Sequence, residues 1–190
     1  MVILKRSFYT RPTLRVAQGL LGCFLVRKIG KKKLIGKIVE TEAYIGPGDK
    51  ASHAYQGKIT KRNRAEFLIG GHVYIYLVYG MYYQLNITTS KEGRPECILI
   101  RALEPINDFK AKIKKSASGP GKLCQYLKLD KSFYGEDLCK GKRLWLENKK
   151  ERIGLSQIVH SKRIGIDYAQ EYKDKLWRFY LRDNEFVSRK

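Results

Sequence analysis

The chain has 190 residues, 43% of them hydrophobic, and 39 Lys and Arg against 18 Asp and Glu give a formal net charge of +21. That length and apolar content predict one ordered domain with a sizeable core and exclude a disordered basic tail. The cationic surplus points to nucleic acid or an anionic membrane surface as partner, a class prior that ribosomal proteins and nonspecific binders share.

Met1–Arg6 carries too short an apolar stretch for a signal peptide, so the expectation is a soluble, intracellular protein. Thr10-Arg11-Pro12 predicts a helix start, with Leu14, Ala17, Leu20 and Leu21 at helical spacing and Gly22 as the stop. Cys23–Ile29 and Leu34–Tyr44 predict a hairpin around the basic turn Gly30-Lys31-Lys32-Lys33. In its second strand, alternation puts Ile38, Glu40, Glu42 and Tyr44 on one face. Gly46-Pro47-Gly48-Asp49 ends that strand, and a basic loop with Lys58, Lys61, Arg62 and Arg64 follows. The apolar run over 68–79 contains His72 and is too short to span a bilayer, so no membrane contact is expected.

Val73–Val78 and Met81–Thr88 predict a second hairpin with Tyr79-Gly80 near its tip, the glycine supplying positive φ. Cys97–Leu103 has the composition of a buried strand, interrupted only by Arg101. Asn107–Lys115 predicts a basic helix, and Ser118-Gly119-Pro120-Gly121-Lys122 opens another. Residues 128–150 have the pattern of a charged surface excursion, and Leu176–Leu181 that of a closing strand. Repeats, linkers and low-complexity segments are absent from the sequence.

Cysteines 23, 97, 124 and 139 include no C-x-x-C pair, and histidines 53, 72 and 160 do not cluster with them. Neither zinc nor an iron–sulfur cluster is expected, and no cofactor is called for. Glu42 shares a strand face with Ile38 and Tyr44, which predicts a half-buried carboxylate at a pocket rim with a pKa raised toward general-base work. Glu40 is the structural alternative, because alternation alone cannot separate the two. Seven of the 13 tyrosines fall between 44 and 83. Strand packing accounts for most of them, but a tyrosine at a hairpin tip projects outward, where it can wedge into or stack on bases. An arginine on an apolar strand needs an anionic partner, so Arg101 pairs with a carboxylate such as Glu42 or reaches a ligand; a sheet-edge arginine facing water is the bland alternative. Ser118–Lys122 lacks the Walker pattern, although a helix start can receive a phosphate.

Glu40-Thr41-Glu42-Ala43-Tyr44, Ala51-Ser52-His53, Arg62-Asn63-Arg64, Tyr76–Tyr82, Leu85-Asn86-Ile87, Arg101–Pro105 and Ser118–Leu123, in this order and spacing, resemble the alkyladenine (3-methyladenine) DNA glycosylase family. The likeness runs from about Leu14 to Leu181. It implies an α+β fold, one mixed domain around a curved antiparallel sheet with peripheral helices, acting without metal or cofactor as a monomer on double-stranded DNA that contains damaged purines. It implies that Glu42 activates water, that Tyr44, His53 and Tyr76 hold an extruded base, and that Tyr79 replaces the flipped nucleotide in the stack. Asn86 falls where a side chain crowds the 2-amino group of guanine, and Arg101 where an arginine stands beside the water and the sugar-phosphate. Arg163-Ile164-Gly165-Ile166 matches a segment whose backbone positions the water. Lys58, Arg62, Arg64 and Lys122 are the expected phosphate contacts. The chain departs from the family pattern at Lys58, where some members have arginine, and at Ala65-Glu66, where others have a small residue and methionine.

These features together predict a monofunctional glycosylase of base excision repair that flips out and hydrolyses alkylated purines. A noncatalytic RNA-binding module would explain the charge and the tyrosines but gives no reason for Glu42 and Arg101. A glycosylase-lyase would instead form a borohydride-trappable Schiff base.

Overall fold

The computed structural model describes residues 2–113, 115–148 and 153–189. Two short helices open the chain, α1 (Arg6–Tyr9) and α2 (Thr13–Leu20). The start predicted at Thr10 falls between them, with Pro12 at the N-cap of α2, where no N–H is needed. Val16, Ala17 and Leu20 bury one face of α2, and Gly22 then turns the chain at φ +82°.

Strands β1 (Phe24–Ile29) and β2 (Lys32–Ile45) pair antiparallel with Ile29 opposite Lys32. The turn is therefore Gly30-Lys31 alone, and Lys32 and Lys33 belong to the strand. β3 (Val73–Val78), β4 (Tyr82–Thr88) and β5 (Glu96–Pro105) follow, then α3 (Phe109–Ile113) and α4 (Pro120–Tyr126). β6 (Leu144–Glu147), β7 (Ile158–Ser161) and β8 (Arg178–Leu181) come last. The helix expected over Asn107–Lys115 is shorter: Asp108 Oδ1 accepts the Ala111 N–H at its start, and Lys115 has left helical geometry at φ +48°. Residue 114 of that prediction lies outside the described residues.

All pairings of these strands are antiparallel, in the order β3-β4-β5-β2-β1-β6, with β8 also on β2 and β7 on β8. The fold is α+β, as the family likeness implied. β2 is its spine. One edge pairs with β5 over Gly36–Ile45, while the other is shared by β1 over Lys32–Lys37 and β8 over Glu40–Glu42. Between those two partners the β5 register shifts around Val39, a bulge that bends the strand and re-aims its side chains. Ile38 through Ala43 are all buried, so β2 has no wet face here.

The expectation of a surface excursion over 128–150 is corrected. Phe133, Leu138, Leu144 and Leu146 are buried in the main core, and β6 extends the sheet beside β1. The charges at Lys140, Lys142 and Arg143 precede the apolar triplet Leu144-Trp145-Leu146 and mask it from a composition-based reading. Residues 149 and 150 lie outside the described residues. Among the described residues, no helix is long and apolar enough to cross a membrane.

Candidate active site

The bulge gives the two glutamates of β2 different partners. Glu40 Oε1 accepts from Arg101 Nε at 3.1 Å and from Arg178 Nε at 2.7 Å, and its Oε2 from the Ser188 N–H at 2.7 Å. Both oxygens are held by protein donors, and of these only Arg101 lines the neighbouring cavity. Glu42 is fully buried, a correction to the half-buried rim position expected from alternation. β8 pairs beside it, and the Ile164 N–H donates to its Oε1 at 2.8 Å. Its Oε2 accepts from the Tyr44 hydroxyl at 2.9 Å and faces Arg101 Nη1 at 3.4 Å. Burial pushes the Glu42 carboxyl above the ordinary carboxylate range; Arg101, the Ile164 N–H and Tyr44 oppose the shift, and Glu40 adds to it. Arg101, 8% exposed and paired with both carboxylates, is no water-facing edge residue.

A cavity of 340 Å³ opens beside these groups, at the low end of the usual ~300–1,000 Å³ of small-ligand sites. Tyr44, Arg101 and Ile164, each in contact with the Glu42 carboxylate, line it, as do His53, Tyr76, Asn86 and Tyr79. Glu42 itself lies behind them. His53 Nδ1 is 2.7 Å from the Tyr74 hydroxyl. Desolvation of the ring against its aromatic neighbours, reinforced by Arg62, pushes the His53 pKa down to about 4, so the ring is neutral at pH 7 although the residue keeps an exposed edge. Either group can donate in the contact between His53 and Tyr74, according to the tautomer of the His53 ring. The ring centroids of Tyr74 and Tyr76 are 5.0 Å apart, and the Tyr76 hydroxyl donates to Gln84 Oε1 at 2.9 Å. Asn86 Nδ2 donates to the Tyr74 carbonyl at 3.2 Å, which fixes its amide against the cavity wall.

Tyr79 is 87% exposed at the tip between β3 and β4. Both Tyr79 (φ +52°) and Gly80 (φ +67°) are left-handed, where the sequence suggested the glycine alone. A tyrosine in that region costs roughly 1–2 kcal/mol, a strain of the kind that collects at functional positions. Lys58, Arg64 and Lys122 stand exposed. Lys122 lies in the first turn of α4, two residues after Pro120, which lines the cavity. Arg62 is placed differently: its guanidinium lies 4.6 Å over the Tyr76 ring and lines the cavity too.

Sequence reasoning missed several partners. Tyr74 shares a face of β3 with Tyr76 and could have been found from that spacing. Asp49 holds Arg163 in a fully buried bidentate pair at 2.5 and 2.9 Å, and that guanidinium lies 4.7 Å over the Tyr44 ring. Arg178 clamps Glu40, and Glu66 lines the cavity. No local pattern marks either.

The Methylpurine-DNA glycosylase family model matches residues 7–185. The chain belongs to the methylpurine-DNA glycosylase family. This glycosylase, a hydrolase, is 46% identical over 192 residues to a protein of Natranaerobius thermophilus, with 96% of each chain covered. It is 47% identical over 203 residues to one of Clostridium novyi, with 98% of each covered. A Borrelia garinii relative is 46% identical over 187 residues, covering 97% of this chain and 99% of its own. The names of all three provisionally describe them as 3-methyladenine DNA glycosylases.

Proposed function

We propose that this glycosylase excises 3-methyladenine and 7-methylguanine from double-stranded DNA by direct attack of water, acting as a monomer inside the cell, with hypoxanthine a poorer substrate. The observation that carries this is a buried carboxylate, Glu42, tied through Tyr44, Arg101 and Ile164 to an aromatic cavity of base size. A base in a duplex cannot be reached in place and is flipped out at a cost of roughly a few kcal/mol. Tyr79 fills the gap left in the stack. The base enters between Tyr44 and Tyr76, with His53 at its edge. Alkylation at N3 or N7 makes the purine cationic, which tyrosine faces favour by ~0.5–2 kcal/mol and which makes it a better leaving group.

Water attacks the anomeric carbon as the glycosidic bond breaks and its electron pair leaves with the base. Glu42 takes the water's proton and stabilises the oxocarbenium-like sugar. Arg101 holds Glu42 and faces the sugar-phosphate. No lysine nucleophile is used. Release of free 3-methyladenine from alkylated duplex, without a borohydride-trappable adduct, is the expected result; trapping, or no release at all, would overturn the proposal. A noncatalytic binder would leave the paired burial of Glu42 and Arg101 without purpose.

DNA binding should weaken steeply with salt, each neutralised phosphate adding about −0.9 to the log–log slope. Lys122→Ala and Arg64→Ala should each make the slope shallower by roughly one unit, checked by fluorescence titration at several salt concentrations. A slope indifferent to both changes would place the phosphate contacts elsewhere.

Asn86 is the expected gate against guanine. The 2-amino group of guanine would meet a buried amide already committed to the Tyr74 carbonyl, leaving polar atoms badly paired at ~1–3 kcal/mol. Asn86→Ser should therefore raise guanine release relative to hypoxanthine by roughly 5–150-fold in single-turnover assays. Undetectable guanine release by a variant still active on 7-methylguanine would remove Asn86 from that role.

A further inference from the structure

The cavity carries a second carboxyl that the mechanism does not use. Glu66, in the short turn Arg64–Phe67, is 1% exposed and lines the cavity. Its Oε1 accepts from Cys97 Sγ at 3.4 Å, while its Oε2 is buried without a hydrogen-bond partner. The Asn63 side chain lies nearby, but its amide protons go to the His53 and Lys58 carbonyls at 3.0 and 2.8 Å. The titratable groups facing Glu66 are Cys97 from β5, Tyr74 and Tyr76 from β3, and Tyr134. β4 presents the uncharged Asn86 to the same cavity. None of these is a cation; the cations on the same cavity wall are engaged elsewhere, Arg62 over the Tyr76 ring and Arg101 with Glu40 and Glu42, and Arg64 is exposed. A buried carboxyl on a cavity wall with one oxygen unpartnered is costly and suited to a positively charged occupant.

We propose that Glu66 is a charge-selecting residue of the base pocket, its carboxylate favouring purines that carry a positive charge over neutral purines of similar shape. The inference rests on the base-pocket function proposed above and adds to it a source of lesion preference separate from the tyrosine faces. Burial, opposed in part by Cys97 and Asn63, holds the Glu66 pKa at about 7. The carboxylate fraction therefore rises through neutrality, and so should the selectivity for cations. A cationic base in turn pulls the proton off.

The test is single-turnover excision of 7-methylguanine (cationic) and hypoxanthine (neutral) from the same duplex context at pH 6, 7 and 8. Wild type, Glu66→Gln and Glu66→Met are compared; both variants keep the side-chain size and remove the charge. Neutral bases bring their own pH dependence, but it is common to all three proteins, so the readout is the change in the 7-methylguanine-to-hypoxanthine ratio. At pH 8 the ratio should fall by about tenfold in both variants, the loss of one modest charge interaction, and converge with wild type at pH 6. An unchanged ratio in whichever variant folds, or an equal loss at all three pH values, overturns the proposal. Wild type that releases neither base overturns the pocket function itself, and this inference with it.

Discussion

Glu42→Gln is expected to abolish base excision while leaving the fold and DNA binding in place. The substitution keeps the volume and one acceptor oxygen, which the Ile164 N–H that bonds Glu42 now can keep, while the new amide N–H donates to the Tyr44 hydroxyl, whose present bond to Glu42 runs the other way. What it removes is the ability to take a proton from water and to face a developing positive sugar with a full charge. General-base removal alone costs ~10²–10⁴ in rate, and loss of the carboxylate's electrostatic effect adds to it. Single-turnover excision beside binding to an abasic-site analogue separates the two functions. Turnover near that of wild type would sink the assignment. The pH profile is a second check. The active form is the carboxylate, so activity is lost on acidification, and because burial raises the Glu42 pKa the loss sets in above the ordinary carboxylate range.

Glu40→Gln, only two residues away, is expected to act on the fold instead. It leaves Arg101 and Arg178, 8% and 5% exposed, beside each other without the anion that both address through Nε. Removing one partner of a buried charged cluster costs about 3–5 kcal/mol. For a chain of this size that is a fall in Tm of roughly 6–20 °C by calorimetry. A Glu40→Gln protein that melts like wild type but cannot excise would move the catalytic role back to Glu40. The contrast between the two glutamines is thus sharper than either alone.

The hairpins, β5 and the first long helix were legible because their apolar periodicity is local. The carboxylate, the arginine and the tyrosine at the tip stood out for the same reason: each breaks its local pattern. Strand alternation could not tell Glu40 from Glu42, because the bulge at Val39 and the pairing with β8 assign their partners, and neither is written in the β2 segment. β6 was hidden by the charges that precede its three apolar residues, and β7 is too short to carry a period. Glu66 was legible only as a departure from the family pattern beside Ala65; the packing of β3, β4 and β5 against its turn makes it part of the cavity. Arg62 was legible as a cation but not as a ring partner of Tyr76, since the side-chain direction depends on where the loop folds back.

The wiring of Glu40 and Glu42 also bears on how the protein acquires activity. The Ile164 N–H bonds Glu42 across 122 positions of sequence, Arg178 bonds Glu40 across 138, and the Ser188 N–H bonds Glu40 across 148. Contacts this distant carry high loop-closure entropy and close slowly compared with the neighbouring hairpins. During synthesis the basic loop and the tyrosine tip leave the ribosome well before the segments that hold the two carboxylates. The surfaces expected to attract DNA therefore exist in the chain before the C-terminal segment that completes the hydrogen bonds of the two carboxylates.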